Sequence, residues 1–147
     1  MTRIVLLDSG PLGMASHPRP NPDFINWLRG LAKKRVKVLV PEIADYEIRR
    51  ELIRSNRLRS IMRLDELKRI AGFLPITSKA MLKAAFFWAQ ARTTGRPTAH
   101  DRSLDADVIL AAQAVVLAKG KHDVVVATDN VGHLSRFVRA TKWQQII

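Results

Sequence analysis

The chain contains no cysteine, which excludes disulfides and thiolate metal sites and leaves an oxygen-ligand metal site open. It lacks an apolar run of membrane-spanning length. Its N-terminus lacks the basic-then-apolar order of a secretory signal, so a cytoplasmic protein with no membrane association is expected. Negative charge is scarce as well: 13 acidic residues face 25 lysines and arginines, a net charge of +12. On a chain of 147 residues that surplus favours a polyanionic partner, nucleic acid first. Solubility, or an acidic protein partner, is the blander explanation. There is no internal repeat, low-complexity segment or linker, and the length suits one domain spanning 1–147.

Several motifs of phosphate and metal chemistry are also missing. Gly10 and Gly13 are not followed by the lysine of a P-loop. Asp8 has Gly10 two places on, where haloacid-dehalogenase phosphatases need a second aspartate. His17, His100, His122 and His133 show no paired zinc spacing, so surface or loop roles are expected for all four.

What is present alternates between strand and helix. Arg3–Leu7 is a continuous apolar run that reads as a buried strand ending in the turn chemistry of Asp8-Ser9-Gly10-Pro11. The prolines of His17–Pro22 make a loop, and a helix should run from Asp23 to Lys34. Val36–Val40 is the second strand, after which Pro41 opens a helix burying Ile43, Tyr46, Leu52 and Ile53. A basic helix carrying Leu58, Ile61, Met62, Leu64, Leu67 and Ile70 follows, then a short strand over Phe73–Ile76. Ser78 should cap a helix over Lys79–Arg92, and Thr94–Ser103 is a polar loop. Leu104–Ala118 is an apolar helix, Asp123–Ala127 a fourth strand and Trp143–Ile147 a fifth. Such alternation implies an α/β fold around a parallel sheet.

Acids stand where such a fold places its ligands, at the carboxyl ends of strands. Asp8 follows the first strand, Asp129 follows the fourth, and Asp105 and Asp107 open the apolar helix. Carboxylates sharing one crevice repel one another, and hard divalent cations compensate them. A single aspartate after a strand is more often a turn or helix cap.

At this point the residues resemble the PIN-domain ribonucleases. Ile4–Ser9 is similar to their opening strand, where an aspartate and then a small hydroxyl residue follow apolar residues. Pro41–Glu47 is similar to the segment in which a helix delivers a glutamate. Asp107–Ala114 is similar to the aspartate that leads an Ile/Ala-rich helix, and Thr128–Leu134 to the fourth motif. The four motifs occur in order over almost the whole chain.

The resemblance implies a PIN-like three-layer α/β/α sandwich with a central parallel sheet of about five strands, commonly a homodimer. It implies divalent-metal-dependent endoribonuclease activity, with Asp8, Glu47, Asp107 and Asp129 as catalytic, metal-holding acids for Mg²⁺ or Mn²⁺. Small relatives resembling this chain are often VapC-type toxins of type II toxin–antitoxin pairs, silenced by a cognate antitoxin. Asp129 stands one residue before the place many relatives give the fourth acid, which is Asn130 here. Asp105 is an extra acid that either joins the metal site or caps the helix. Ser9 and Thr128 flank the acids, with turn hydrogen bonding as the first expectation and orientation of a carboxylate as the second. The alternative function is a non-catalytic PIN-fold module that binds RNA or protein.

Arg49, Arg50, Arg54, Arg57, Arg59, Arg63, Lys68 and Arg69 crowd the region after Glu47. Singly each is a solvated charge. Together, with Arg50, Arg54 and Arg57 foremost, they suggest a track for an RNA backbone leading to the acids. Arg92, Arg96, His100 and Arg102 are candidates for an opposite wall. Tyr46 and Trp88, able to stack on bases, are expected in the core.

Overall fold

In the computed structural model, which describes residues 2–94 and 101–146, short apolar strands assemble into one five-stranded, all-parallel sheet. The elements are β1 (Thr2–Leu7), α1 (Ser9–Ser16), α2 (Pro22–Lys33), β2 (Lys37–Pro41), α3 (Glu42–Arg54), α4 (Leu58–Ala71), β3 (Phe73–Leu74), α5 (Ser78–Thr93), α6 (Asp101–Ala118), β4 (His122–Ala127), α7 (Val131–Leu134) and β5 (Ala140–Thr141). A 3₁₀ turn over Trp143–Gln145 follows. No described helix is long and apolar enough to cross a membrane.

Period-two alternation explains why β1 is apolar without interruption. Ile4 and Leu6 point into one core, which contains residues of α5, α6 and α7; Val5 and Leu7 point into the other, which contains residues of α1, α2 and α4. The chain is therefore an α/β/α sandwich, as expected.

The strand order is β3-β2-β1-β4-β5. After β1 the chain builds outward through β2 and β3, then returns to add β4 on the other side of β1. The crevice between the ends of β1 and β4 is a topological switch point, where open α/β sheets place their ligands. Leu7 is in register with Ala127, and the Asp8 N–H donates to the Ala127 carbonyl at 3.0 Å, so the two strand ends are held level.

Local boundaries differ from expectation in instructive ways. Asp8-Ser9-Gly10-Pro11 does not turn: Asp8 caps α1, and Pro11 is tolerated because the first helical turn needs no intrahelical N–H partner. Pro41 closes β2 and stands at the cap position of α3 instead of inside it. Thr77, not Ser78, caps α5, its hydroxyl oxygen accepting from the Ala80 N–H at 3.1 Å. Helix α6 begins at Asp101, so Asp105 lies within it and caps nothing. The expected fifth strand at Trp143–Ile147 is displaced to Ala140–Thr141. Trp143 is instead packed against Phe24 and Trp27, and the Trp27 indole donates to the Ile146 carbonyl at 2.8 Å. Burying two indoles outweighs further ladder pairing there.

The expected buried face of the α3–α4 hairpin is mostly open. Ile43 and Leu64 are buried, whereas Tyr46, Ile53, Leu58, Met62 and Ile70 are exposed. Helix α4 covers the sheet with one side only, and the chain has no further layer to cover the other. Gly72 ends α4 with φ +122°, a conformation that also avoids a Cβ 2.8 Å from Leu39.

Candidate active site

Asp8 is placed by the end of β1 and fixed by its neighbours. One carboxylate oxygen accepts from the Ser9 N–H at 2.7 Å, and the other from the Thr128 hydroxyl at 2.7 Å. The Thr128 oxygen in turn accepts from the Asn130 N–H at 2.9 Å. Thr128 thus does both things weighed for it, shaping the turn after β4 and orienting the Asp8 carboxylate. Ser9 contributes its backbone N–H.

Glu47 stands out from the other acids of α3 because nothing binds it. Glu42 accepts from the Ile76 N–H at 2.7 Å, Asp45 pairs with Arg49 at 2.9 Å, and Glu51 pairs with Arg54 at 2.9 Å. Glu47 has no hydrogen bond or ion pair among the described residues. Burial, then the charges of Asp8 and Asp107, push its carboxyl up to about 7, with Arg50 opposing.

Asp107 is 9% exposed, on the side of α6 that faces β1 and α7. Burial first, then the charge of Asp8, push its carboxyl up to about 6, against the pull of His133 and Arg136. Asp8 is itself raised by burial and by Asp129, less what its two hydrogen bonds take back. These mutual effects require proximity. Asp8, Glu47 and Asp107, brought from β1, α3 and α6, form one electrostatic cluster with Asp129 at its margin.

Asp129 is solvent-exposed, and its carboxylate occupies the space a side chain at Gly10 would take: a Cβ there would lie 2.3 Å from Oδ2. Asn130 is exposed, its backbone tied to Thr128. Asp105 points elsewhere, into a groove with Met81, Trp88 and Val108. Two residues apart on one helix, Asp105 and Asp107 diverge by about 200°.

The cluster suits a hard divalent cation by its donors, which are carboxylate oxygens. Asp107 Oδ2 is buried with no hydrogen-bond partner, the condition of a ligand atom. Among the described residues no three acid or histidine side chains stand close enough to grip one ion directly.

His133 and Arg136 went unnoticed in the sequence. His133 Nδ1 lies 3.8 Å from Asp107 Oδ2, contrary to the surface or loop role expected of every histidine. The signal was present: His133 follows Asn130 by three positions, which is one turn of α7.

The basic region divides. Arg49 bridges Asp45 and Asp65, and Lys68 approaches Asp45 at 3.6 Å, so both serve the packing of α3 on α4. Arg69 pairs with Glu66. Arg50 lies over the Tyr46 ring at 5.1 Å, and Arg57 lines a groove of about 820 Å³ with His17, Arg19 and Arg59. Tyr46 is 56% exposed, and Trp88, under the Arg92 guanidinium, is also exposed, so neither is core. Arg96, His100 and the Arg102 side chain lie outside the described residues.

No family model and no curated protein matches the sequence. Solved structures do. A chain of VapBC2 from Rickettsia felis, bound to a DNA fragment from their promoter, superposes with a TM-score of 0.76 at 15% identity, over 95% of this chain and 98% of that one. FitAcB from Neisseria gonorrhoeae gives 0.70 at 21% identity, over 97% and 99%. VapBC-1 from nontypeable Haemophilus influenzae gives 0.67 at 18%, over 97% and 99%. At these identities what is shared is the fold. The chain has a VapC-like PIN fold.

Proposed function

We propose that this protein is a divalent-metal-dependent endoribonuclease, the toxin of a type II toxin–antitoxin pair. The observation that carries the reading is the cluster of Asp8, Glu47 and Asp107, three acids from three elements that raise one another's proton affinity at the switch point of the sheet. Asp8, Glu47 and Asp107, with Asp129 beside them, would hold Mg²⁺ or Mn²⁺, partly through water. Such an ion, when bound, lowers the pKa of a water for attack on the phosphodiester and offsets charge on the leaving oxygen. Thr128 keeps Asp8 aimed, and Arg50 favours the ionised form of Glu47 that a cation needs. Exposed Tyr46 with Arg50 above it offers a ring face and a charge to an RNA strand entering over α3.

Partners follow from the same reading. The neighbours of like fold are VapBC and FitAB complexes, and two apolar surfaces here are uncovered: Ile53, Leu58 and Met62 on α3–α4, and Leu82 and Phe86 on α5. Apolar patches of that kind mark interaction sites, for which a cognate antitoxin and a second copy of the chain are the proposed occupants.

The deciding experiment is cleavage of single-stranded RNA by the purified protein. Cleavage should need Mn²⁺ or Mg²⁺ and stop with EDTA. RNA binding without cleavage at any metal concentration would leave the non-catalytic module instead.

A further inference from the structure

His133 is delivered to the acid cluster by the shortest helix of the fold. Leu134 is fully buried and anchors α7 in the core, which turns the adjacent imidazole toward α6. The ring is 33% exposed, yet its Nδ1 is buried and has no hydrogen-bond partner. The atom it faces, Asp107 Oδ2, is in the same condition, and the two stand 3.8 Å apart. That is too long for a hydrogen bond. Leaving both buried and unpaired is costly, so something positive belongs between or beside them.

A proton on the ring would serve, but it would draw imidazolium and carboxylate to within about 3 Å. Two atoms ligating one ion at about 2.1 Å each lie roughly 3–4 Å apart, which is the spacing seen. We propose that His133 supplies a nitrogen donor, beside Asp107, to the divalent ion of the carboxylate cluster. This inference rests on the reading of that cluster as a divalent-metal site. A neutral imidazole among carboxylates favours Mn²⁺ over Mg²⁺, because Mg²⁺ holds to oxygen and water whereas Mn²⁺ accepts nitrogen as well. The metal preference of this protein is thereby set on α7, by a residue outside the four acids.

The test uses the full chain, Mn²⁺ as probe and pulsed electron paramagnetic resonance. Bound Mn²⁺ should show modulation from a directly coordinated imidazole nitrogen, and His133→Gln should remove it. Mn²⁺ affinity should fall by roughly tenfold or more, the loss that even supporting residues of metal sites cause, with Mg²⁺ affinity changed less. His133→Asp guards against a merely misfolded variant: it should bind Mn²⁺ without the nitrogen signal and discriminate less against Mg²⁺. Mn²⁺ bound to the wild type without nitrogen modulation, or with modulation that survives His133→Gln, overturns the proposal and leaves the carboxylate site standing. A wild-type chain that binds no Mn²⁺ overturns both.

Discussion

Glu47 illustrates how a side chain acquires function by having nothing else to do. The other acids of α3 are occupied by Ile76, Arg49 and Arg54, while Glu47 is held half-buried between Asp8 and Asp107. Its carboxyl titrates near 7 against an ordinary 4.5, and the sign of the consequence follows. Below about pH 4.5 the group is protonated in both folded and unfolded chains and costs nothing. Between about 4.5 and 7 the unfolded chain has released the proton and the folded chain retains it, so stability is lost as pH rises. Above about 7 the full penalty is present. Metal-free Glu47→Gln should therefore match the wild type at the acid end and become progressively more stable than it up to neutral pH. Denaturant titrations of both proteins across that range, in EDTA, measure the difference. A difference that does not change with pH would mean that Glu47 is solvated and that the cluster is looser than its geometry indicates.

At the level of elements, α6 sorts two neighbouring acids by phase. Because the helix begins at Asp101, four residues before Asp105, both aspartates obey helical periodicity: Asp107 faces β1 and α7, and Asp105 the groove beside α5. Asp107→Asn should abolish RNA cleavage with the fold intact, since it removes a charge from a repelling cluster. Asp105→Asn, an exposed change within a helix, should keep most activity. Cleavage rates of the two variants on one RNA at saturating Mn²⁺ decide this, and an inactive Asp105→Asn with an active Asp107→Asn would reverse the assignment. This phase was legible in the sequence, as were β1, β2, β4 and the acids at strand ends, because continuous apolar runs leave few alternatives to a buried parallel strand. The short β5 was not. Two residues of ladder carry no pattern, and the Trp143 that suggested a strand is used for packing on Phe24 and Trp27. The exposed side of α4 was equally hidden, since an apolar stripe records that a face will be covered without recording which chain covers it. His133 escaped notice because a lone histidine has no spacing to recognise; only the fold brings Asp107 to it.

Across the whole molecule, the charge of +12 is not spread as a uniform basic coat. Arg49 and Lys68 are spent on Asp45 and Asp65 where α3 meets α4, and Arg69 on Glu66. The candidates left to face a phosphate backbone are Arg50 next to Glu47, Arg57 in its groove, and Arg54, whose exposed pairing with Glu51 is weak enough to exchange. A strand lying along α3 would meet Arg54 and Arg50 before the acids, and its phosphates would offset the repulsion between so many cations. Affinity for single-stranded RNA should then fall steeply with salt, and each genuine phosphate contact removed should flatten the log–log slope by roughly 0.7. The Asp107→Asn protein, with no added metal, keeps the strand intact for the measurement. In that background Arg50→Gln and Arg57→Gln should each flatten the slope, and Arg54→Gln less, because Glu51 already competes for that guanidinium. Loss of affinity with an unchanged slope would place these arginines in shape or stacking contacts, with Tyr46 as the nearest ring. An unchanged slope and affinity in the triple variant would make α3 a solvated face and send the search for the RNA path to α5, where Arg92 lies over Trp88.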